Sequence, residues 1–266
     1  VKEYLDIMDH RKTEQLIDTL DKVEQNRKEC YIREFSIEHF HDSKVFETLI
    51  PKICKIFREE NEELTGFENE EILAEYQIYK TPGYVYMKGN VQIYSAGKQA
   101  ADISAFPEGI AVAVGSEEDV PDICPDQTID KVFTIENLTS FYRFKQEHSL
   151  VIYLGGYHNR SRRNLLMQIY QKLPDAQYYH FGDLDAGGFY ILEHLKRKTG
   201  IPFQMFQMDI ETLKKYEDYA KPLTENDKKR LMQLEKMELP DEERKLITYM
   251  LQKGIKLEQE CISESQ

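Results

Sequence analysis

A chain of 266 residues, 41% hydrophobic and 31% charged, is long enough for one large domain or two small ones, and two are expected. No apolar run approaches the ~20 residues of a membrane span, which excludes a membrane helix from this sequence. A formal net charge of -13 argues against non-specific binding of nucleic acid by the whole surface, but it leaves room for a local basic groove.

The first residue is Val1, and nothing near it has the basic start and apolar middle of a signal peptide, so a fragment of a longer cytoplasmic protein is expected. Cys30, Cys54, Cys124 and Cys261 form no C-x-x-C pair. Reduced thiols are expected, not a zinc knuckle or a disulfide framework.

Leu16, Ile17, Leu20 and Val23 recur at helical intervals and predict a solvated amphipathic helix from about Asp9 to Tyr31. Residues 32–57 predict a short extended piece, then a helix starting near Asp42 or Ser43 that Pro51 should kink or interrupt. A polar, acidic stretch, 58–71, follows. Tyr84 to Tyr94 alternates β-branched and aromatic residues around Lys88-Gly89-Asn90, which predicts a hairpin. Helix, short strand, helix and hairpin is the order of a winged-helix unit. A further strand is predicted at Ile110 to Val114, and the acid- and proline-rich loop after it is the expected domain boundary.

From Lys131 the rhythm changes. Strands are predicted at 132–135, 150–154, 178–181 and 203–208, with helices between them. This alternation predicts right-handed crossovers and a parallel sheet whose strand ends share one edge. Glu136, Gly155-Gly156, Asp183, Asp185 and Asp209 would meet there. Helix starts at Thr224 and Pro240 predict a helical tail.

The stretch HFGDLDAGGF, His180 to Phe189, reads as strand, tight turn and helix, with two carboxylates where the strand ends. Asp183 and Asp185, joined by Glu136, would repel one another unless a proton or a cation intervened. A hard divalent ion such as Mg2+ suits oxygen ligands of this kind and can activate a phosphodiester, so phosphoryl chemistry on a nucleic acid is the natural substrate. Against this stands helix capping, the ordinary role of a single Asp at such a place and the expected role of Asp209.

Glu at the end of the first strand with D-x-D at the end of the third resembles the toprim domain of topoisomerases, primases and related nucleases. The ordered set IREFSIEHFHDSKVFETL, VFTIENLTSF, VIYLGG and HFGDLDAGGF is similar to the C-terminal region of the JetD family, nuclease subunits of Wadjet anti-plasmid defence systems. That family is related to the A subunit of type IIB topoisomerases. The resemblance implies an α/β fold: a toprim domain, a four-stranded parallel sheet flanked by helices, with a helical tail over 123–266. A smaller α+β winged-helix-like (CAP-like) domain would cover 1–122. It implies Glu136, Asp183 and Asp185 as metal and catalytic carboxylates for Mg2+ or Mn2+, with Glu136 as the acid/base. The implied activity is endonucleolytic cleavage of closed-circular, double-stranded plasmid DNA by a homodimer. The implied partner is an SMC-type, MukBEF-like JetABC complex. Family members carry an additional N-terminal region, expected to be missing or shortened here.

Arg160, Arg162 and Arg163 near the active edge could hold DNA phosphates or form a solvated helix face. Ser43 and Lys44 match the family pattern and could touch DNA, although a cap explains Ser43 equally well. Lys196 to Lys198 reads as a solvated run, and His180 as a packed or hydrogen-bonded histidine. A topoisomerase-like transesterase would need a nucleophilic tyrosine, and Tyr31, Tyr84, Tyr86 and Tyr94 read as packing residues. A non-catalytic DNA-holding subunit is the other competitor. A haloacid-dehalogenase phosphatase would carry its D-x-D on the first strand. A dinucleotide site would need G-x-G-x-x-G, which is absent.

Overall fold

The structure, a computed structural model, describes residues 10–61, 64, 67–80, 83–114, 121–155 and 160–262. The chain packs as two compact units, Val1–Gly83 with Asn159–Ser161, and Tyr84–His158 with Arg162–Gln266. The division falls earlier than the boundary expected at 122/123.

In the first unit, α1 (His10–Gln25) buries Leu16, Thr19 and Val23 on one face. β1 (Cys30–Tyr31) leads directly into α2 (Ile32–Phe40), where an extended piece was expected. Ile32, Phe35 and Ser36 recur at helical spacing on the buried side, and the Glu34 carboxylate accepts the Tyr31 N–H at 2.8 Å, closing the first turn. The next helix, α3 (Val45–Glu60), starts later than expected and runs through Pro51. Its buried face of Phe46, Ile53, Cys54 and Phe57 outweighs the one hydrogen bond that proline removes. α4 (Asn69–Glu75) and β2 (Ile78–Tyr79) complete the unit, with β2 pairing β1 in parallel. All four cysteines are free thiols.

The second unit opens with β3 (Gly83–Lys88), β4 (Val91–Ser95), β5 (Lys98–Asp102), β6 (Ile110–Val114) and β7 (Asp122–Pro125). The expected hairpin does not form, because β3 and β4 enter different sheets. Gly89, at φ 137°, turns the chain against the neighbouring backbone, where a Cβ would stand 2.5 Å from the Ser149 carbonyl oxygen. The buried Lys88 ammonium donates to the Phe141 carbonyl at 2.6 Å and anchors the end of β3. β4 instead pairs antiparallel with β5 and β7, so the stretch expected as a linker holds a strand.

The alternating half follows in order: β8 (Lys131–Ile135), α5 (Leu138–Arg143), β9 (Ser149–Tyr153), α6 (Arg160–Lys172), β10 (Gln177–Phe181), α7 (Ala186–Thr199) and β11 (Gln204–Met205). Then come α8 (Ile210–Lys215), β12 (Lys221–Pro222), α9 (Glu225–Leu234), α10 (Asp241–Lys253) and β13 (Ile255–Lys256). The large sheet has the order β11-β10-β8-β9-β3-β6. Its first four strands are mutually parallel, and β3 runs antiparallel to β9. The α/β character read from the sequence is therefore present, with two added strands on the β9 side. β8 is buried on both faces, Val132 toward one apolar cluster and Phe133 toward the other, as a central parallel strand must be.

α7 ends where Gly200 adopts a left-handed cap at φ 69°. Lys196 on this helix is not part of a solvated run. It bonds Glu193 at 2.8 Å and the buried Glu243 of α10, whose pKa burial pushes up to about 7. His194 is buried on the same helix, and burial, helped by the charges of Arg163, Lys198 and Arg197, pushes its pKa down to about 3. The folded pKa lies below the unfolded one, so this contribution is complete above pH ~6.5 and is lost as pH falls. Between pH 7.5 and 5, His194→Gln should lose about 2 kcal/mol less stability than wild type, read from urea midpoints at the two pH values. Equal losses would show a ring that protonates freely in the folded protein.

Candidate active site

The strand order determines where a site can be built. From β8 the chain crosses to β9 on one side, while from β10 it continues to β11 on the other. The ends of β8 and β10 therefore flank the point at which connections diverge, the crevice where open α/β sheets bind ligands. Glu136 follows β8, and Gly182-Asp183-Leu184-Asp185 follows β10.

The ladder continues one step past the strands, because the Glu136 N–H donates to the Phe181 carbonyl at 3.1 Å. The Asp183 N–H then donates to Glu136 Oε2 at 3.3 Å. Gly182 lies tight against both side chains: a Cβ there would meet Glu136 Oε2 at 2.7 Å and His180 Nε2 at 2.8 Å, so those side chains would have to shift. Asp185 caps α7, accepting the Gly188 N–H at 2.9 Å on Oδ1. Its capping role and its place in the carboxylate group coexist, since one cap bond uses one oxygen. Asp209 caps α8 through the Thr212 N–H at 2.7 Å, as the sequence suggested.

Asp183 is the electrostatic centre. Burial pushes its pKa up to about 6; the N–H of Gln259 opposes this, whereas the charges of Asp185, Glu260 and Glu258 reinforce it. A half-buried carboxylate ringed by acids calls for a proton or a cation. His180 lies fully buried beside this point, with Nδ1 3.0 Å from Thr134 Oγ1 and Nε2 without a hydrogen-bond partner. Burial pushes its pKa down to about 3, so it is a neutral ring under the carboxylates.

Hard divalent ions take carboxylate oxygens of this kind as donors. Among the described residues no three carboxylate, imidazole or thiol groups close into a ready-made cage. An open edge of carboxylates suits Mg2+, which binds through one or two of them and keeps its remaining positions for water or phosphate.

The family model for the C-terminal part of Wadjet protein JetD matches residues 118–266, more than half of the chain. The chain belongs to the JetD family. It is also 28% identical over 263 residues to the Wadjet protein JetD of Bacillus cereus (strain Q1), a match covering 97% of this chain and 63% of that protein. All of the carboxylates just described fall within the part matched by the JetD family model.

The other candidate residues lie in different settings. Arg162 gives Nη1 to the Leu154 carbonyl and Nη2 to the Tyr84 carbonyl at 3.3 Å, so it braces the strand ends from within. Arg163 lies on α6 within electrostatic reach of His194. The backbone of Arg160 starts α6; its side chain and Gly156 lie outside the described residues. Ser43 and Lys44 belong to the first unit, in the turn before α3, where the Lys44 N–H donates to Asp42 Oδ1 at 2.7 Å. Ser43 is not the cap residue there; Lys44 holds that position without a side-chain cap bond.

Sequence reasoning missed the segment after α10. Leu257 and Leu184 exchange backbone hydrogen bonds of 3.1 and 2.9 Å, which brings this segment against the D-x-D turn. Glu260 Oε1 accepts from Asn137 Nδ2 at 2.5 Å. No periodic pattern marks these residues. The only local signal is Gly254, whose left-handed cap at φ 70° ends α10.

Proposed function

We propose that the chain is the catalytic part of a Mg2+- or Mn2+-dependent DNA endonuclease of toprim type. The observation that carries this reading is the coupling of Glu136 to Asp183 at the sheet's switch point, with Asp183 raised to about 6 among other acids. The four parallel strands with Glu after the first and D-x-D after the third also match the toprim pattern. In this reading Asp183 and Asp185 hold the ion, and Glu136 takes the proton from the attacking water and returns one to the leaving oxygen. A bound Mg2+ or Mn2+ would supply Lewis-acid polarisation of the phosphodiester. Membership of the JetD family supports closed-circular plasmid DNA as substrate, an SMC-type JetABC complex as partner, a homodimer as the acting form and the cytoplasm as the place of action. Ser43 and Lys44 of the first unit are proposed DNA contacts, and Arg160 and Arg163 at the start of α6 are proposed phosphate contacts.

Supercoiled plasmid incubated with Mg2+ or Mn2+ should be cut by wild type and left intact by Glu136→Gln and Asp183→Ala. The ends should be free without protease treatment. Ends released only by protease would favour a tyrosine transesterase instead, and equal cutting by all three proteins would remove the carboxylates from the chemistry.

A further inference from the structure

Gln259 is wholly buried although it lies one residue from an exposed glutamate near the end of the described chain. Every polar group of its side chain is used. Nε2 donates to the Phe181 carbonyl at 2.8 Å, at the end of β10. Oε1 accepts the Asn137 N–H at 2.8 Å, just after Glu136. Its main-chain N–H donates to Asp183 Oδ1 at 2.7 Å. One residue thus joins the two strand ends that carry the carboxylates and holds one of those carboxylates directly.

We propose that Gln259 is a positioning residue of the carboxylate edge, spacing the Glu136 loop from the D-x-D turn and orienting the Asp183 carboxylate for a divalent ion. This rests on the metal-site reading above. An amide side chain that donates from its NH2 group at one end and accepts on its carbonyl oxygen at the other, spanning two backbone groups of opposite polarity, sets both distance and register. An apolar side chain of the same length would fill the space and leave the Asn137 N–H and the Phe181 carbonyl unmatched. The Leu184–Leu257 pairing holds the segment from the other side, so loss of the glutamine should loosen the site without releasing the strap. Outer partners of metal ligands commonly set affinity in this way.

The test uses the whole chain with Gln259→Met, and Gln259→Asn as a second variant that keeps both polar groups but falls a methylene short. Folding is checked by circular dichroism and a cooperative urea transition. Mn2+ affinity is read by titration, and plasmid cleavage is followed against Mn2+ concentration. The expected result is folded variants whose Mn2+ affinity, and the metal requirement of any cleavage, are weakened by about ten- to a hundred-fold. A folded variant with wild-type Mn2+ affinity would overturn the role of Gln259 alone. Wild type that binds no Mn2+ would overturn the metal-site reading and the positioning role with it.

Discussion

Asp183→Asn is expected to make the protein more stable and inactive at once. The Asp183 carboxyl has its pKa raised to about 6 from an ordinary value of 3.8, burial being the main cause. The folded state therefore holds the proton more tightly than the unfolded state. The resulting penalty is absent below pH ~4, grows between ~4 and ~6, and is constant above that. At pH 7.5 it amounts to about 3 kcal/mol at most. An asparagine carries no charge to desolvate and still accepts the Gln259 N–H through its amide oxygen. Urea midpoints should then show the variant about 1–3 kcal/mol more stable at pH 7.5 and no different at pH 4. Added Mg2+ should raise the wild-type midpoint and leave the variant's unchanged, because only a ligand bound to the folded state stabilises it. A variant less stable than wild type at pH 7.5 would mean that the carboxylate is already well satisfied by the fold.

Gly188→Ala is expected to have the largest effect on stability of any single methyl added to this region. A Cβ at Gly188 would stand 2.1 Å from the Asp183 carbonyl oxygen and 3.1 Å from its carbonyl carbon and amide nitrogen. All three are backbone atoms, which no rotamer change can move aside. α7 would have to withdraw from the turn, breaking the cap from Asp185 and displacing both aspartates. The expected cost is about 3 kcal/mol or more, together with loss of metal binding. Its neighbour supplies the contrast: a Cβ at Gly187 meets only the Asp185 carboxylate oxygens and carbon, at 3.0 Å and beyond. Gly187→Ala should stay within about 1 kcal/mol of wild type, since alanine favours the helix and the carboxylate can shift slightly. Similar urea midpoints for the two variants would show that the close approach at Gly188 does not exist in solution.

Much of the second unit was legible because its strands announce themselves. VFTI, VIY and YYHF are short apolar runs bounded by turn residues, and each leads into a helical pattern. The caps at Asp209 and Thr224 were readable from capping chemistry, and each side chain accepts a backbone N–H of its helix; Asn137 and Asp185 cap their helices in the same way. The strand order was not readable. Periodicity says that Glu136 and Asp183 end strands on one edge, but only the sheet shows that β8 and β10 are neighbours.

The errors have a common physical source in long-range pairing. Tyr84 to Tyr94 has hairpin chemistry, yet β9 and β7 compete for its two strands and win. The segment 255–262 has no period, because its residues are held one at a time by unrelated partners. Ile32 to Phe40 was misread as extended because it is short and begins with a β-branched residue, whereas its buried spacing is helical. Nor does anything local in the sequence show that two backbone carbonyls accept from Arg162.

The most direct test of the carboxylate site is a Mn2+ titration of the protein at pH 7.5, followed by electron paramagnetic resonance of the free ion. Wild type should remove Mn2+ from solution, Mg2+ should compete it off, and both Asp183→Asn and Glu136→Gln should bind at least about tenfold more weakly. Binding unchanged in both variants, or absent from a folded wild type, would contradict a divalent-ion site at the ends of β8 and β10.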